Sequence, residues 1–385
     1  MLKIIKVAML VEDVRSISTE TTPRFASAPL ALLQGFYTAG LPLEIHVVCC
    51  VRPGSPIPSN LPTNIHYHFL PVPKVGFLRT LHLGCFFSTR RLLQRIQPDL
   101  IHAHGTEAWC AIVGALLPLP KILTVHGYLN GINRVVPLRP WPHWALQRLL
   151  ESISLPKYES VICLSDFMET SLRAKTRSTN LIPNPVRQEF FSTPLSHSDT
   201  DPKVLRIVNI GSVYHLKQQC ELVESLIRSP LAQYPVECVF LGCLDTTTQY
   251  GQRFIRLMSL NHSNLTLKHI DYLPVDGLIK LLDNSDCLVH VSKTESFCLA
   301  VAEALVRSKK VFAFNTGGIP FVSQGFPTAT LIPNHNWEEL WLAVESWAKV
   351  KPPVPNPKDS ADNRYLPKTI AEQHFSAYAK LLSLN

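Results

Sequence analysis

Short apolar segments alternate with helical patterns along almost the whole chain, and this alternation restricts the fold more than any other feature. In the first half the segments are rich in valine and isoleucine and are bounded by proline, glycine, asparagine or aspartate. They are KIIKVAMLV, LEIHVVCCV, NIHYHFLPV, DLIHAHG, KILTVHG and SVICLSD, with helical patterns such as APLALLQGFYTAG and FSTRRLLQRIQ between them. Strands buried on both faces of a parallel sheet have this composition. The alternation predicts a doubly wound parallel sheet.

The pattern restarts after a polar, proline-containing segment, STPLSHSDTDPK. Beyond it the predicted strands are VLRIVNIGSV, VECVFLGCL, LTLKHIDYL, DCLVHVS and KKVFAFN, and the helices include CELVESLIRS, VDGLIKLLDN and LAVAEALVRS. A chain of 385 residues is long enough for two cores. We therefore predict an α/β protein with two facing Rossmann-like domains at 1–185 and 204–350. A linker at 186–203 joins them, and a tail follows at 351–385.

Charge and cysteine usage narrow the functional classes. The whole net charge of +8 lies in residues 1–185, which indicates either an anionic partner for that half or a solvated basic face. Ten cysteines without a CxxC pair or zinc spacing predict buried, reduced thiols in a cytoplasmic protein. The opening MLKIIKVAMLV is too short to span a membrane and predicts a strand. Nucleic-acid binding is not expected, because no recognition module is recognisable.

Motifs of several enzyme classes are missing from the sequence. No GxGxxG follows the first strand, and neither a P-loop nor a G-x-S-x-G elbow occurs. This argues against a nicotinamide dehydrogenase, a P-loop ATPase and a serine hydrolase. Asp199, Thr200 and Asp201 have the spacing of a divalent-ion motif, but they lie in the polar linker, where solvated charge is the favoured interpretation. No metal site is expected.

Histidines follow two predicted strands of the first half. His102 and His104 lie at the end of IHAHG, and His126 lies at the end of TVHG. Ligands of open α/β sheets bind beyond the carboxyl ends of the strands. These histidines are therefore either part of a binding site or packed core residues, and the local pattern leaves both interpretations open.

The segment TESFCLAVAEAL, residues 294–305, places two glutamates in an apolar context. We predict a loop carrying Glu295 and a helix that begins near Ser296, with Glu303 about one turn further along. The first amides of such a helix attract phosphate. These are the amides of Phe297, Cys298 and Leu299. A sugar nucleotide fits this arrangement, with one carboxylate on sugar hydroxyls and the other on ribose hydroxyls. The alternative is an amphipathic helix with two exposed glutamates.

With these segments in this order, the chain resembles the retaining, nucleotide-sugar-dependent glycosyltransferases of family 4, which have the GT-B fold. The resemblance covers nearly the whole length. The matching segments are IHAHG, TVHGY, LSDFMETSL, LIPNPV, IGSVYHLKQQ, ESFCLAVAEAL, FNTGGIP and the tail RYLPKTIAEQHFSAYAKLL. The resemblance implies transfer of a sugar from a nucleoside-diphosphate sugar to an acceptor, with retained stereochemistry and no metal ion or other cofactor. It also implies a last helix that packs back on the first domain.

The resemblance assigns roles to individual residues. His126 approaches the donor sugar near its anomeric carbon and Glu295 binds the sugar hydroxyls, so both are expected to be catalytic. Lys217 neutralises the donor diphosphate and Glu303 binds ribose. The expected donor site consists of Ser212, Lys217, Phe297, Cys298, Leu299 and Glu303. The expected acceptor side consists of His102, His104 and Arg24.

The chain departs from the family pattern at several positions. Ser212 stands in place of the arginine partner of the loop lysine, Cys298 in place of a glycine, and Phe321 in place of an acidic residue. The first loop, DVRSISTETTPRF, lacks the paired glycines, and Arg24 belongs to this loop. A second hypothesis therefore stands: a catalytically weak GT-B protein that binds a nucleotide sugar or partners an active transferase.

Basic and aromatic residues are interleaved in two stretches of the first half, KVGFLRTLHLGCFFSTRRLLQR and NRVVPLRPWPHWALQRLL. Cations beside exposed aromatics suit an anionic membrane surface; in the alternative, the aromatics are core and the cations are solvated. The first interpretation predicts a lipid-linked acceptor and peripheral contact with the inner face of the membrane.

Overall fold

The computed structural model describes residues 3–12, 27–55, 65–135, 142–195, 201, 203–260, 263–351 and 363–383. The chain divides into two compact units. The first unit consists of Met1–Gln188 and Asn363–Asn385, and the second unit consists of Glu189–Asp362.

Each unit is built on one parallel sheet. The strands are β1 Ile5–Leu10, β2 Leu43–Val51, β3 His66–Pro71, β4 Leu100–His104, β5 Lys121–Val125, β6 Ser160–Cys163, β7 Thr179–Leu181, β8 Leu205–Ile210, β9 Val236–Leu241, β10 Leu265–Ile270, β11 Cys287–His290, β12 Lys310–Phe314 and β13 Ala329–Ile332. Among the described residues, the strand orders are β3-β2-β1-β4-β5-β6-β7 and β10-β9-β8-β11-β12-β13. Both contain the Rossmann order, in which the winding reverses beside the first strand. The predicted fold class is confirmed.

Helices connect the strands. They are α1 Ser27–Ala39, α2 Leu83–Ile96, α3 Trp109–Leu116, α4 Leu129–Val135, α5 Pro142–Ser154, α6 Asp166–Leu172, α7 Glu189–Ser192, α8 Gln219–Ile227, α9 Gln249–Met258, α10 Val275–Asp283, α11 Leu299–Val306, α12 Ile319–Ser323, α13 Trp337–Val350 and α14 Pro367–Leu381. Within the described residues, no helix combines the length and apolarity that crossing a bilayer requires.

The first sheet is covered on both faces, as its continuous apolar strands require. Along β1, Ala8 and Leu10 belong to one buried cluster, whereas Val7 and Met9 belong to another. Successive side chains of a strand point to opposite faces, so each face of the sheet has its own core. All ten cysteines are free thiols, and all but Cys243 are buried.

The last helix belongs to the core of the first unit. Ile370 and Tyr378 of α14 are fully buried and pack with Phe36 of α1. A β-carbon on Gly35 would lie 2.1 Å from the carbonyl oxygen of Pro367, so only glycine allows the two helices to approach this closely. The prediction that the tail helix packs on the first domain is confirmed.

A buried arginine fixes the beginning of the second unit. Arg307, which is 2% exposed, donates hydrogen bonds to both carboxylate oxygens of Asp283, at 2.8 and 2.5 Å. Its guanidinium also donates to the carbonyl oxygens of Phe190 and Thr193, at 3.2 and 2.8 Å. The planar fork therefore connects α10 and α11 to the segment around α7.

Candidate functional site

The second unit brings Lys217 and Glu295 together at the switch point of its sheet. Lys217 lies in the loop between β8 and α8, and Glu295 lies in the loop between β11 and α11. The two loops are tied by a hydrogen bond from the Lys293 amide to the carbonyl of Leu216, at 2.8 Å. The Lys217 ammonium forms a salt bridge with Glu295, and their side chains are 19% and 11% exposed. The sequence motifs thus place a paired cation and anion where open α/β sheets bind ligands.

Further polar side chains surround the Glu295 carboxylate. Ser292 donates its hydroxyl to Glu295 Oε1 at 2.7 Å, and His290 Nε2 lies 2.8 Å from the same oxygen. Cys298 Sγ lies 3.3 Å from His290 Nε2. The candidate ligand atoms of His290, Glu295 and Cys298 lie within 4.8 Å of one another, but the Lys217 ammonium on Glu295 opposes a second cation there. The cluster is therefore better suited to hold Glu295 in place than to bind a metal.

The electrostatics keep this pair ionised. Burial works to raise the pKa of Glu295, but the Lys217 charge and the His290 hydrogen bond hold it well below its usual range. Burial works to lower the pKa of Lys217, and the Glu295 charge more than offsets it, so that pKa is raised. Burial lowers the pKa of His290, despite its hydrogen bond to Glu295. Near pH 7 a neutral imidazole therefore supports an ion pair.

The predicted helix start is wrong by three residues. We expected the helix to begin near Ser296, but α11 begins at Leu299, because Cys298 has φ +79° and ψ +80° and cannot continue a right-handed helix. Of the predicted phosphate-binding amides, only that of Leu299 lies in the first turn, whereas Phe297 and Cys298 precede it. The left-handed conformation is one that glycine adopts without strain, and Cys298 stands where the resemblance predicts a glycine.

Glu303 lies on α11, as predicted, but it is only 5% exposed. Two exposed glutamates on an amphipathic helix are therefore ruled out as the interpretation of this segment. Ser212 is exposed in the loop after β8. The carbonyl groups of Gly211 and Ser212 accept hydrogen bonds from the Gln219 side chain, at 3.1 and 3.0 Å, which fixes the start of this loop.

The glycine turn FNTGGIP packs against the backbone of Glu295. The Gly318 amide donates to the carbonyl oxygen of Glu295 at 2.8 Å. Gly317 has φ +55°, and a β-carbon there would lie 2.2 Å from that same oxygen. Only glycine permits this backbone approach, so the turn fixes the backbone of Glu295.

In the first unit, the predicted histidines form one buried array. His104 Nδ1 lies 3.1 Å from His126 Nε2, so the ends of β4 and β5 are linked. The ring centroids of His102 and His104 are 4.0 Å apart. His102 also contacts Thr124 Oγ1 at 2.7 Å and the Tyr378 hydroxyl, on α14, at 2.6 Å. His102 is therefore a core residue, whereas His126, the least buried of the three, lies at the edge of the array.

Burial keeps the array neutral. It lowers the pKa of His126 to about 4, and it lowers the pKa of His374, on α14, to about 3. For His102 and His104 burial holds the pKa well below the usual range. At pH 7 each imidazole can donate one hydrogen bond and accept one, but none of the four is a cation.

Sequence reasoning missed several residues around these sites. His290 and Ser292 alternate at the end of an apolar strand, and His374 and Tyr378 lie four apart on the tail helix; both spacings were available signals. The carboxylate of Glu107 lies between Gly105 and Gly127, where β-carbons would come within 2.7 and 2.4 Å of its oxygens. Burial raises the pKa of Glu107 to about 7. Arg24, expected on the acceptor side, lies outside the described residues.

Comparisons with known proteins bear on the whole chain. Residues 35–190 match the family model Glycosyltransferase Family 4, and residues 188–363 match the model Glycosyl transferases group 1. The chain is 26% identical over 275 residues to the phosphatidylinositol N-acetylglucosaminyltransferase GPI3 subunit of Saccharomyces cerevisiae (strain YJM789). That match covers 66% of this chain and 57% of the yeast protein, so the chain spans little more than half of that relative.

The fold is similar to that of solved structures along its full length. Sucrose-phosphate synthase from Thermosynechococcus elongatus aligns with a TM-score of 0.79 and 17% identity, covering 99% of this chain and 100% of that one. Anabaena HepE in complex with UDP-glucose aligns with a TM-score of 0.71 and 16% identity, covering 98% and 100%. These similarities support the two-unit fold.

Proposed function

Because the chain belongs to the family 4, group 1 type of glycosyltransferases, we propose that it moves a hexosyl-type sugar from a nucleoside-diphosphate sugar to an acceptor, with retention and without a metal ion. The observation that carries this proposal is the Lys217–Glu295 pair at the switch point of the second sheet. A sugar diphosphate offers one group for each member of the pair. Its diphosphate binds cations, and its sugar hydroxyls donate to carboxylates.

In this proposal, binding of the donor breaks the salt bridge between Lys217 and Glu295. The ammonium turns to the diphosphate, where it stabilises the charge that grows as the nucleotide leaves. Glu295 then accepts hydrogen bonds from the sugar hydroxyls, still held by Ser292 and His290. Glu303 is assigned to ribose, and His126 acts as a neutral hydrogen-bonding group, since burial lowers its pKa to about 4.

A uridine nucleotide is the first donor to test, because Anabaena HepE was solved with UDP-glucose and with UDP and glucose. The yeast relative's name describes transfer of N-acetylglucosamine to phosphatidylinositol by one subunit of an enzyme. We extend both to this chain as proposals: a UDP-sugar donor, a lipid-linked acceptor, and action in the cytoplasm at the membrane surface.

A face of the first unit supports the membrane part. Four large apolar side chains between the end of β3 and the first turns of α2 are 47–61% exposed: Val75, Leu81, Leu83 and Phe87. Phe87 and the exposed Arg90, Arg91 and Arg95 line one groove on α2. Phe77 and Phe86, by contrast, are partly buried against the core. In the second predicted stretch, Trp144 is half-buried and residues 136–141 lie outside the described residues. The mixed apolar and cationic face suits an anionic bilayer.

Donor chemistry is tested with a panel of nucleotide sugars, by following release of free nucleotide and the anomeric configuration of the product. We expect turnover with at least one donor, with EDTA present, and a loss of at least about 100-fold in Glu295→Gln. A chelator-sensitive rate, or an inverted product, would contradict the corresponding part of the proposal.

The alternative is a catalytically weak GT-B protein that binds a nucleotide sugar or assists an active subunit. The exposed Ser212, in place of a second cation beside the diphosphate, favours it. Measurable binding of a nucleotide sugar without turnover of any donor, together with turnover only after addition of a partner subunit, would support it.

Membrane contact is tested by co-sedimentation with vesicles of phosphatidylserine and phosphatidylcholine. We expect binding that fades at high salt and is lost in Phe87→Ala/Arg90→Ala/Arg91→Ala. The matched control is Arg228→Ala, an exposed arginine of the second unit, and it should bind normally. Equal sedimentation of both variants would contradict the assignment of this face.

A further inference from the structure

Four metal-ligating residues share one face at the edge of the first sheet. In the register of β2 and β3, His46 is opposite His66 and Val48 is opposite His68. Side chains two residues apart on a strand point to the same face, so Glu44 joins His46 on β2 and His68 joins His66 on β3. The sequence carries no local zinc spacing here, because the ligands come from two strands about 20 residues apart.

The side chains on this face already converge. His46 Nε2 lies 2.8 Å from Glu44 Oε1, and the rings of His46 and His66 stack with centroids 4.7 Å apart. One ligand atom each from Glu44, His46 and His66 lies within 4.8 Å of the other two. Zinc bonds of about 2.0–2.1 Å place tetrahedral ligand atoms about 3.4 Å apart. Side-chain rotations that move these ligand atoms by about 1 Å would therefore bring all three within bonding distance of one ion.

We propose that Glu44, His46 and His66 bind a divalent transition-metal ion of the zinc class, with water completing the site. Two imidazoles and one carboxylate are ligands that zinc prefers, and three protein ligands leave an open position. Glu44 is partly exposed and His66 is exposed, so an ion can reach them from solvent.

His68 prepares His46 for this role. His46 is 6% exposed, and its Nδ1 lies 2.9 Å from His68 Nε2. When Nδ1 carries the proton and donates it to His68, the lone pair of Nε2 faces Glu44 and the metal. Such a partner on the second ring nitrogen is typical of metal-binding histidines.

Lys6 competes with the ion, but its salt bridge with Glu44 is more exposed than the Lys217–Glu295 pair, with side chains 30% and 36% exposed. Its ammonium lies 3.1 Å from Glu44 Oε1, the same oxygen that His46 contacts. A bound cation must displace it, so removing this charge should tighten metal binding. The bound ion would add a link between β2 and β3, the strand at the edge of the described sheet.

The test is titration of the purified full-length protein with Co²⁺ and Zn²⁺, followed by cobalt absorption and calorimetry. We expect one site, without a thiolate-to-cobalt charge-transfer band. His66→Ala should weaken binding at least about 100-fold, and His68→Ala by about 10- to 100-fold. Lys6→Gln should bind several-fold more tightly. His66 is exposed, so its substitution should not disturb folding, which circular dichroism checks.

The matched control is His335→Ala, an exposed histidine of the second unit, which should bind like the unaltered protein. The proposal is overturned if no metal binds, or if His66→Ala and His335→Ala bind equally. It is also overturned if the cobalt spectrum shows a thiolate band that Cys298→Ser removes, since the ion would then occupy the cluster at His290.

Discussion

Replacing Glu295 by glutamine should tighten the binding of UDP while abolishing most transfer. In the structure the Lys217 ammonium is committed to the Glu295 carboxylate, so a diphosphate must compete with Glu295 for it. Glutamine has nearly the same shape and keeps an oxygen that accepts from Ser292, but it carries no charge. The substitution therefore frees Lys217 for the diphosphate without opening a cavity.

The magnitude follows from the burial of the pair. The side chains of Lys217 and Glu295 are 19% and 11% exposed, which places their interaction between that of a surface pair, at most about 1 kcal/mol, and that of a buried pair, about 3–5 kcal/mol when broken. We take about 1–2 kcal/mol, which corresponds to roughly 5- to 30-fold tighter binding of UDP. Transfer should fall at least about 100-fold, because the lost charge acts on the sugar.

Calorimetry with UDP measures the first effect, and nucleotide release from the preferred donor measures the second. The matched control is Glu237→Gln, which removes the partner of Lys268 on β9 and β10 in the same unit and should leave UDP affinity unchanged. Unchanged or weaker UDP binding in Glu295→Gln would refute the competition between carboxylate and diphosphate.

Three further predictions concern single residues. Lys217→Ala should weaken UDP binding at least about tenfold by calorimetry, because it removes a cation and leaves the Glu295 charge beside the diphosphate; equal affinity would contradict the donor assignment. Burial raises the pKa of Glu107 to about 7, so the folded state disfavours its ionisation and the protein loses stability as pH rises from about 4.5 through 7. In urea unfolding, the free energy of unfolding of Glu107→Gln should exceed that of the unaltered protein by up to about 3 kcal/mol above pH 8 and by nothing at pH 4. A difference that does not change with pH would contradict this. Arg307→Ala should lower the free energy of unfolding by about 3–5 kcal/mol in the same assay, since Asp283 would be left buried and uncompensated; a loss below about 1 kcal/mol would show that water compensates it.

The elements that sequence reasoning predicted are those with a strong local pattern. Buried parallel strands are predicted from apolar runs, and β2 and β9 contain such runs at Val47–Val51 and Cys238–Leu241. β7 and β13 were missed because both are short edge strands that are only partly buried, so neither carries the fully buried apolar run that marks the equally short β6 and β11. The start of α11 was misplaced because the left-handed conformation of Cys298 depends on its neighbours and not on its own propensity.

In the candidate site, residues within local motifs were predicted from the sequence, whereas contacts between distant residues were not. Glu295 was singled out by the paired glutamates of its segment and Lys217 by the resemblance, but their mutual salt bridge joins residues 78 apart. The contact of His102 with Tyr378 spans 276 residues and follows from the return of α14 to the first unit. Glu44, His46 and His66 come together through the pairing of β2 with β3. Such clusters depend on tertiary register, which a single sequence does not reveal locally.

The return of α14 to the first unit also determines which truncations of the chain leave that unit able to fold. The Val186 amide donates to the carbonyl oxygen of Tyr365 at 2.9 Å, so the chain leaves and re-enters the first unit at adjacent points. The second unit is in this sense an insertion into the first, carried on two neighbouring connections. Removing the C-terminal residues would deprive the first unit of the buried Tyr378 and Ile370, although the rest of its core comes from Met1–Gln188. A short glycine linker from residue 186 to residue 365 should instead release the first unit as an independent folding module.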